Sequence, residues 1–168
     1  MTRYEIEGSA SRVIEIRVPG RGDYAIEHMV LDLNGTIALD GKIIGGVKER
    51  VIALSKNVGI IVVTADTNKN AKKLLKDLPV ALCTIEEARE SEQKARLVRE
   101  KGEEVTVCVG NGSNDVSMLK ESAIGICIVG REGASSEAMM AADLVVPSIN
   151  DALELLLKPH RMKASLRR

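Results

Sequence analysis

The sequence predicts an α/β fold, a parallel sheet with helices on both faces in three layers. Three observations predict it. Short runs such as GIIVVT (59–64), EVTVCVG (104–110) and AIGICIV (123–129) are apolar almost throughout, as expected of strands covered on both sides. Segments with helical spacing lie between them. The two kinds of segment alternate along the chain, which is the pattern of βαβ units.

The elements follow in order. Residues 12–33, RVIEIRVPGRGDYAIEHMVLDL, alternate apolar and polar positions on both sides of PGRG, which predicts two strands around a tight turn. After Gly46 the texture changes: GVKERVIALSKN places Val47, Val51 and Leu54 on one helical face. GIIVVT is then a strand, NKNAKKLLKDL (68–78) a helix and PVALCT (79–84) a strand. SEQKARLVREKG (91–102) is a helix that Gly102 is placed to end. The remainder reads as strand EVTVCVG, helix NDVSMLKES, strand AIGICIV, helix ASSEAMMAA, strand DLVVPS and helix NDALELLLK. We divide a single domain, 1–168, into an N-terminal β-hairpin extension (1–27), a core (28–157) and a basic tail (158–168). The tail, KPHRMKASLRR, is expected to be a solvated terminus or a packing arm.

Composition narrows the function. Lys plus Arg and Asp plus Glu are 24 each, so the net charge is zero, and nothing in it favours nucleic acid or an anionic membrane. The only aromatics are Tyr4 and Tyr24, too few for a base-stacking platform. Cys83, Cys108 and Cys127 form no Cys-x-x-Cys motif and read as small buried hydrophobes in a reducing compartment. The opening MTRYEIEGSASR lacks the apolar core of a signal peptide, and no apolar run approaches the roughly 20 residues of a membrane span. The expectation is a soluble cytoplasmic protein.

Four stretches carry candidate chemistry. In MVLDLNGTIALDG (29–41) an apolar strand delivers Asp32 to a loop containing Asn34, Gly35 and Thr36. Asn-Gly between apolar runs is also the strongest short signal for a type I′ hairpin, but a hairpin does not explain Asp32 inside the strand. In IIVVTAD, Thr64 ends a strand and can offer a hydroxyl and an N–H to an anion, or cap the next helix. Lys94 sits near a helix start, where a lone lysine is usually at the surface. In VCVGNGSNDVSML, Gly110 and Gly112 permit close backbone approach and Asp115 lies where a helix begins. Asp32, Thr64 and Gly110 each follow the last apolar residue of a strand, so they should converge outside the carboxyl ends of the sheet.

Together, and in this order, the four stretches resemble the haloacid dehalogenase superfamily, and more closely its small P-type-ATPase-like members. The resemblance implies a Rossmann-like core and an Asp32 nucleophile that forms an aspartyl phosphate. It implies a phosphate neighbourhood of Leu33, Gly35, Thr64, Ala65, Lys94 and Asn114. It implies magnesium (Mg2+) held by Asp32, the backbone carbonyl of Asn34, and Asn111 and Asp115.

Two positions depart from the family pattern. Asn34 stands where an aspartate normally protonates the leaving group and then activates water. Asn111 stands where another normally helps to hold the metal. General acid–base help is worth about 10²- to 10⁴-fold in rate, so the implied enzyme, a phosphatase or phosphotransferase, should be slow. The alternative is a catalytically degenerate relative that binds phosphate, nucleotide or a partner protein without turnover. The intervals Thr36–Thr64 and Thr64–Lys94 leave room only for a flap and a helix, then a helix and a strand. No cap domain fits, so a phosphorylated substrate would meet an open site, or one covered by another subunit of a homo-oligomer.

Overall fold

The computed structural model describes residues 12–65 and 70–168. The first eleven residues, including Tyr4, and the stretch 66–69, with the start of the expected helix NKNAKKLLKDL, lie outside them.

Strands β1 (Ile14–Val18) and β2 (Gly22–Ile26) form the expected antiparallel hairpin, with Ile14 opposite Ile26 and Val18 opposite Gly22. Its turn closes with the Arg21 N–H donating to the Val18 carbonyl. Ile14, Ile16 and Val18 point inward while Glu15 and Arg17 point out, which is the alternation read from the sequence.

The core begins with β3 (His28–Asp32). Two short strands, β4 (Ala38–Leu39) and β5 (Lys42–Ile43), make a small flap. The chain continues through α1 (Val47–Leu54), β6 (Gly59–Thr64), α2 (Asn70–Leu75), β7 (Ala81–Thr84) and α3 (Glu90–Lys101). Then come β8 (Thr106–Gly110), α4 (Val116–Glu121), β9 (Ile124–Ile128), α5 (Ser136–Ala141), β10 (Leu144–Val146), α6 (Ile149–Leu157) and α7 (Pro159–Leu166). Six strands pair in parallel in the order β10-β9-β8-β3-β6-β7.

This order puts a topological switch between β3 and β8. From β3 the chain winds outward through β6 and β7, returns beside β3 as β8, and winds the other way. The loops leaving β3 and β8 therefore part in opposite directions and leave a crevice at their carboxyl ends. The sheet is covered on both faces because alternate residues of one strand face opposite ways. Met29 and Leu31 join the core that includes α1, α6 and α7, whereas Val30 joins the one that includes α3, α4 and α5.

Two local alternatives are resolved. The type I′ signal at Asn34-Gly35 is not a hairpin turn: only Gly35 has positive φ, at 77°. The I′ geometry falls six residues on, at Asp40 (φ 50°) and Gly41 (φ 73°), which close the flap. The basic tail is a helix. Pro159 sits in its first turn, where its missing N–H has no intrahelical partner to lose. Met162 and Leu166 are buried in the same core as β1, and the Arg168 N–H donates to the Pro19 carbonyl. Among the described residues no helix is long and apolar enough to cross a membrane.

Packing, not charge, therefore decides what this tail contributes. Met162→Ala should lower unfolding free energy by about 2–5 kcal/mol, the range for buried Met to Ala. Met140→Ala, at a methionine 87% exposed, should change it by less than about 0.5 kcal/mol. Urea denaturation of both variants, compared at equal slope, measures the difference.

Candidate active site

Asp32 is the last residue of β3, and the chain turns sharply behind it. The Leu33 carbonyl accepts the N–H groups of Thr36, Ile37 and Ala38, and the Gly35 N–H donates to the Ala38 carbonyl. This fold-back returns the Thr36 hydroxyl to the Asp32 carboxylate, 3.1 Å from its Oδ2.

Lys94 is the largest fully buried side chain among the described residues, 1% exposed on the fifth residue of α3. Two carboxylates pair with it there. Its Nζ donates at 2.7 Å to Asp32 Oδ1 and at 2.7 Å to Asp115 Oδ1. The other Asp115 oxygen accepts the N–H groups of Asn111 (3.0 Å) and Gly112 (2.9 Å), which folds the loop after β8 over it. A Cβ on Gly110 would collide with the Asp115 carboxylate, so only glycine fits beneath this cap. Thr64 ends β6, 3% exposed, and Ala65 follows it at the cavity wall.

Two carboxylates and one ammonium thus share a nearly dry site with one negative charge in excess. Burial, and then the Asp115 charge, push the Asp32 carboxyl up to about 6 against the pull of Lys94. Burial pulls the Lys94 ammonium down, but Asp32 and Asp115 more than offset it and its pKa is raised.

A polar cavity of about 560 Å³ opens above Asp32, lined by Asn34, Thr64, Ala65, Asn111, Gly112 and Asn114 and by Glu87, Glu90 and Glu132. The donor set fits magnesium. Asp32 Oδ2 and Asn111 Oδ1 both stand within hydrogen-bond range of the Thr36 hydroxyl, at 3.1 and 3.3 Å. That hydroxyl has one proton and cannot satisfy both. Two oxygens beside an excess negative charge suit a hard cation that prefers oxygen ligands. Among the described residues no group of three His, Cys, Asp or Glu could hold a metal, so the amide and carbonyl oxygens would have to complete the set.

Three of the expected site residues have partners within the protein. The Gly35 N–H donates to the Ala38 carbonyl. Asp115 is fully buried beneath the cavity, with one oxygen on Lys94 and the other on the N–H groups of Asn111 and Gly112. The Asn114 amide donates to Glu90 at 2.6 Å, which turns it to the rim. Leu33 is buried, and only its backbone is near the site. Glu87, Glu90 and Glu132 were not legible as site residues by motif. Glu132 follows the carboxyl end of β9 between Gly130 and Gly133, which is where the strand-end rule would have sought it. The cysteines stay outside the chemistry; burial pushes the Cys108 thiol up to about 12.

No protein-family model matches the sequence. An uncharacterised protein of Methanocaldococcus jannaschii is 45% identical over 71 residues, which cover 42% of this chain and 76% of that one. The human phospholipid-transporting ATPase IG is 44% identical over 69 residues, 39% of this chain but only 6% of the ATPase. The cobalt-bound deoxy-D-mannose-octulosonate 8-phosphate phosphatase of Haemophilus influenzae superposes with a TM-score of 0.67 at 12% identity, covering 83% of this chain and 91% of that one. The corresponding phosphatase of Moraxella catarrhalis, solved with magnesium, phosphate and KDO, gives 0.61 at 15% identity over 79% and 86%. The sheet order and these solved structures agree on a haloacid-dehalogenase-like fold, and part of the chain is similar in sequence to P-type ATPases.

Proposed function

We propose that the chain is a magnesium-dependent phosphatase or phosphotransferase that works through an aspartyl phosphate on Asp32. The observation that carries this reading is the buried ion pair of Asp32 with Lys94 at the floor of a polar cavity. The pairing holds one carboxylate oxygen against the ammonium and leaves the other beside the Thr36 hydroxyl, which also stands near Asn111 Oδ1. A structural ion pair has no need of an open cavity above it, nor of a second carboxylate beneath it.

The residues divide the work. Asp32 attacks phosphorus through a carboxylate oxygen, the P–O bond to the leaving group breaks, and the leaving oxygen departs with the bonding pair. Lys94 and the Thr64 hydroxyl neutralise and orient the transferred oxygens. Thr36 holds the Asp32 carboxylate in one rotamer. Asp32, the Asn34 carbonyl and Asn111 would hold magnesium, which neutralises phosphoryl charge when bound. Water then attacks the aspartyl phosphate, and here Asn34 is the weak point: an amide has no proton to give the leaving group and no basic site to accept one from water.

The second reading, binding without turnover, draws on the amides at 34 and 111 and on Lys94, whose charge is already shared by two carboxylates. The two readings part in rapid-quench kinetics with an aryl phosphate and magnesium. The enzyme reading expects a burst of phenolate matching Asp32 sites, absent in Asp32→Ala, then slow turnover as the phosphoenzyme accumulates. Alkyl phosphates, whose leaving group needs a proton, should react far more slowly. No burst from protein of verified intact mass would favour binding alone; the mass check matters because deamidation at Asn34-Gly35 would create the missing carboxylate.

Asn34→Asp should then speed hydrolysis of the phosphoenzyme and raise steady-state turnover by about 10²-fold or more, within the usual range for general-base help. A rate no higher than that of wild type would remove Asn34 from the account.

The raised Asp32 carboxyl sets the pH dependence. Attack needs the ionised form, so kcat/KM should rise tenfold per pH unit below about 6 and level off above it. Magnesium favours the carboxylate over the acid, so raising its concentration should move this limb to lower pH. A limb fixed near pH 4 at every magnesium concentration would contradict the geometry.

A further inference from the structure

The loop from Val129 to Ser135, between β9 and α5, carries Glu132 to the mouth of the cavity. Glu132 Oε2 lies against Gly35, in the space a Cβ there would need. The same point is 3.0 Å from Asn111 Nδ2. A carboxylate from the loop after β9 and an amide from the loop after β8 therefore flank one backbone position of the loop after β3. Glu132 is solvent-exposed and shares the cavity wall with Asp32, Asn34 and Asn111.

The loop is held in place by Asn111. Its Nδ2 donates to the Gly133 carbonyl at 3.1 Å, and its own carbonyl accepts the Ser135 N–H at 2.9 Å. An aspartate at 111 would have no proton for the Gly133 carbonyl and would set a second carboxylate beside Glu132. The amide at 111 and the carboxylate at 132 are thus complementary. One fastens the loop, and the other brings in the charge that the amide lacks.

We propose that Glu132 is the anionic partner of the divalent cation in this site, directly or through a bound water. The charge expected on the loop after β8 has been moved to the loop after β9. This rests on the reading of the cavity as a divalent-cation site, not on turnover.

The test measures magnesium binding to the full chain without substrate, by calorimetry and by the rise of Tm with added Mg2+. Glu132→Gln should weaken Mg2+ about 10-fold or more, in line with the 10- to 100-fold losses seen on removing supporting groups at metal sites. Glu87→Gln removes the same charge from the same cavity, away from Gly35, and should change affinity less than about twofold. Adding Asn111→Asp to Glu132→Gln should recover part of the loss, because the carboxylate returns to the metal from the other loop. Wild-type affinity in Glu132→Gln would overturn the proposal. So would an equal loss in Glu87→Gln, which would mark a diffuse field, or wild-type protein that does not bind Mg2+ at millimolar concentration. Tight, Glu132-dependent binding with no burst would leave this proposal standing and remove the phosphatase reading instead.

Discussion

The buried ammonium of Lys94 is the constraint on which the rest of the site depends. Its two ion pairs, each 2.7 Å, join three separate parts of the chain: the end of β3, the first half of α3 and the loop after β8. Taking three charges out of water costs several kcal/mol per ion, and the cost is recovered only when the geometry is complete. Here the geometry is completed by Thr36 on Asp32 and by two backbone N–H groups on Asp115. The balance still leaves one negative charge over. A carboxyl whose folded pKa lies above its unfolded 3.8 stabilises the fold at low pH, and that contribution is lost as pH rises from about 4 to about 6. At neutral pH the ionised Asp32 is a strain on the fold, and a bound cation is what would offset it.

The sheet order makes this arrangement reachable. β3 and β8 are neighbours whose following loops diverge, so an aspartate ending one and a glycine-rich loop ending the other meet without a long connection. The short intervals on either side of Thr64 keep the crevice uncovered. The flap, with its Asp40-Gly41 turn, stands beside the site rather than across it. It borders a second cavity of about 500 Å³ with Gly35, Ile128 and Ile149 in its walls.

Much of this was legible in the sequence, because the signals were local. The apolar runs gave every strand of the main sheet, and PGRG marked the hairpin turn. Asp32, Thr64 and Gly110 fall at strand ends as their positions after apolar runs required. What could not be read was set by tertiary contact. Lys94 looks like a surface lysine on a charged helix, and only the two carboxylates brought to it explain its burial. Asp115 looked like a cavity residue because its neighbours are, yet its side chain turns inward to cap its own loop. Asn-Gly suggested a hairpin because dipeptide statistics do not include the Leu33 carbonyl, which gathers three N–H groups and forces a different turn. The basic tail read as either a solvated terminus or a packing arm, and its two buried side chains make it the packing arm. Glu132 had no motif at all; it is visible only once the loops after β3, β8 and β9 are seen side by side.

The rim acids bear on the order of events. Glu87, Glu90 and Glu132 surround a floor that already carries excess negative charge, so the empty cavity repels a phosphate dianion. Lys94 offsets this only in part, since its charge is shared with Asp32 and Asp115. On the proposed reading a divalent cation held by the site would supply the further positive charge that a phosphoryl group needs. An aspartate at 34 or 111 would add to the repulsion at the point where the phosphoryl oxygens sit. An amide keeps the oxygen donor and the loop contacts without that charge. The cost falls on proton transfer. On the proposed reading such a site would trade rapid hydrolysis for a phosphorylated aspartate that persists.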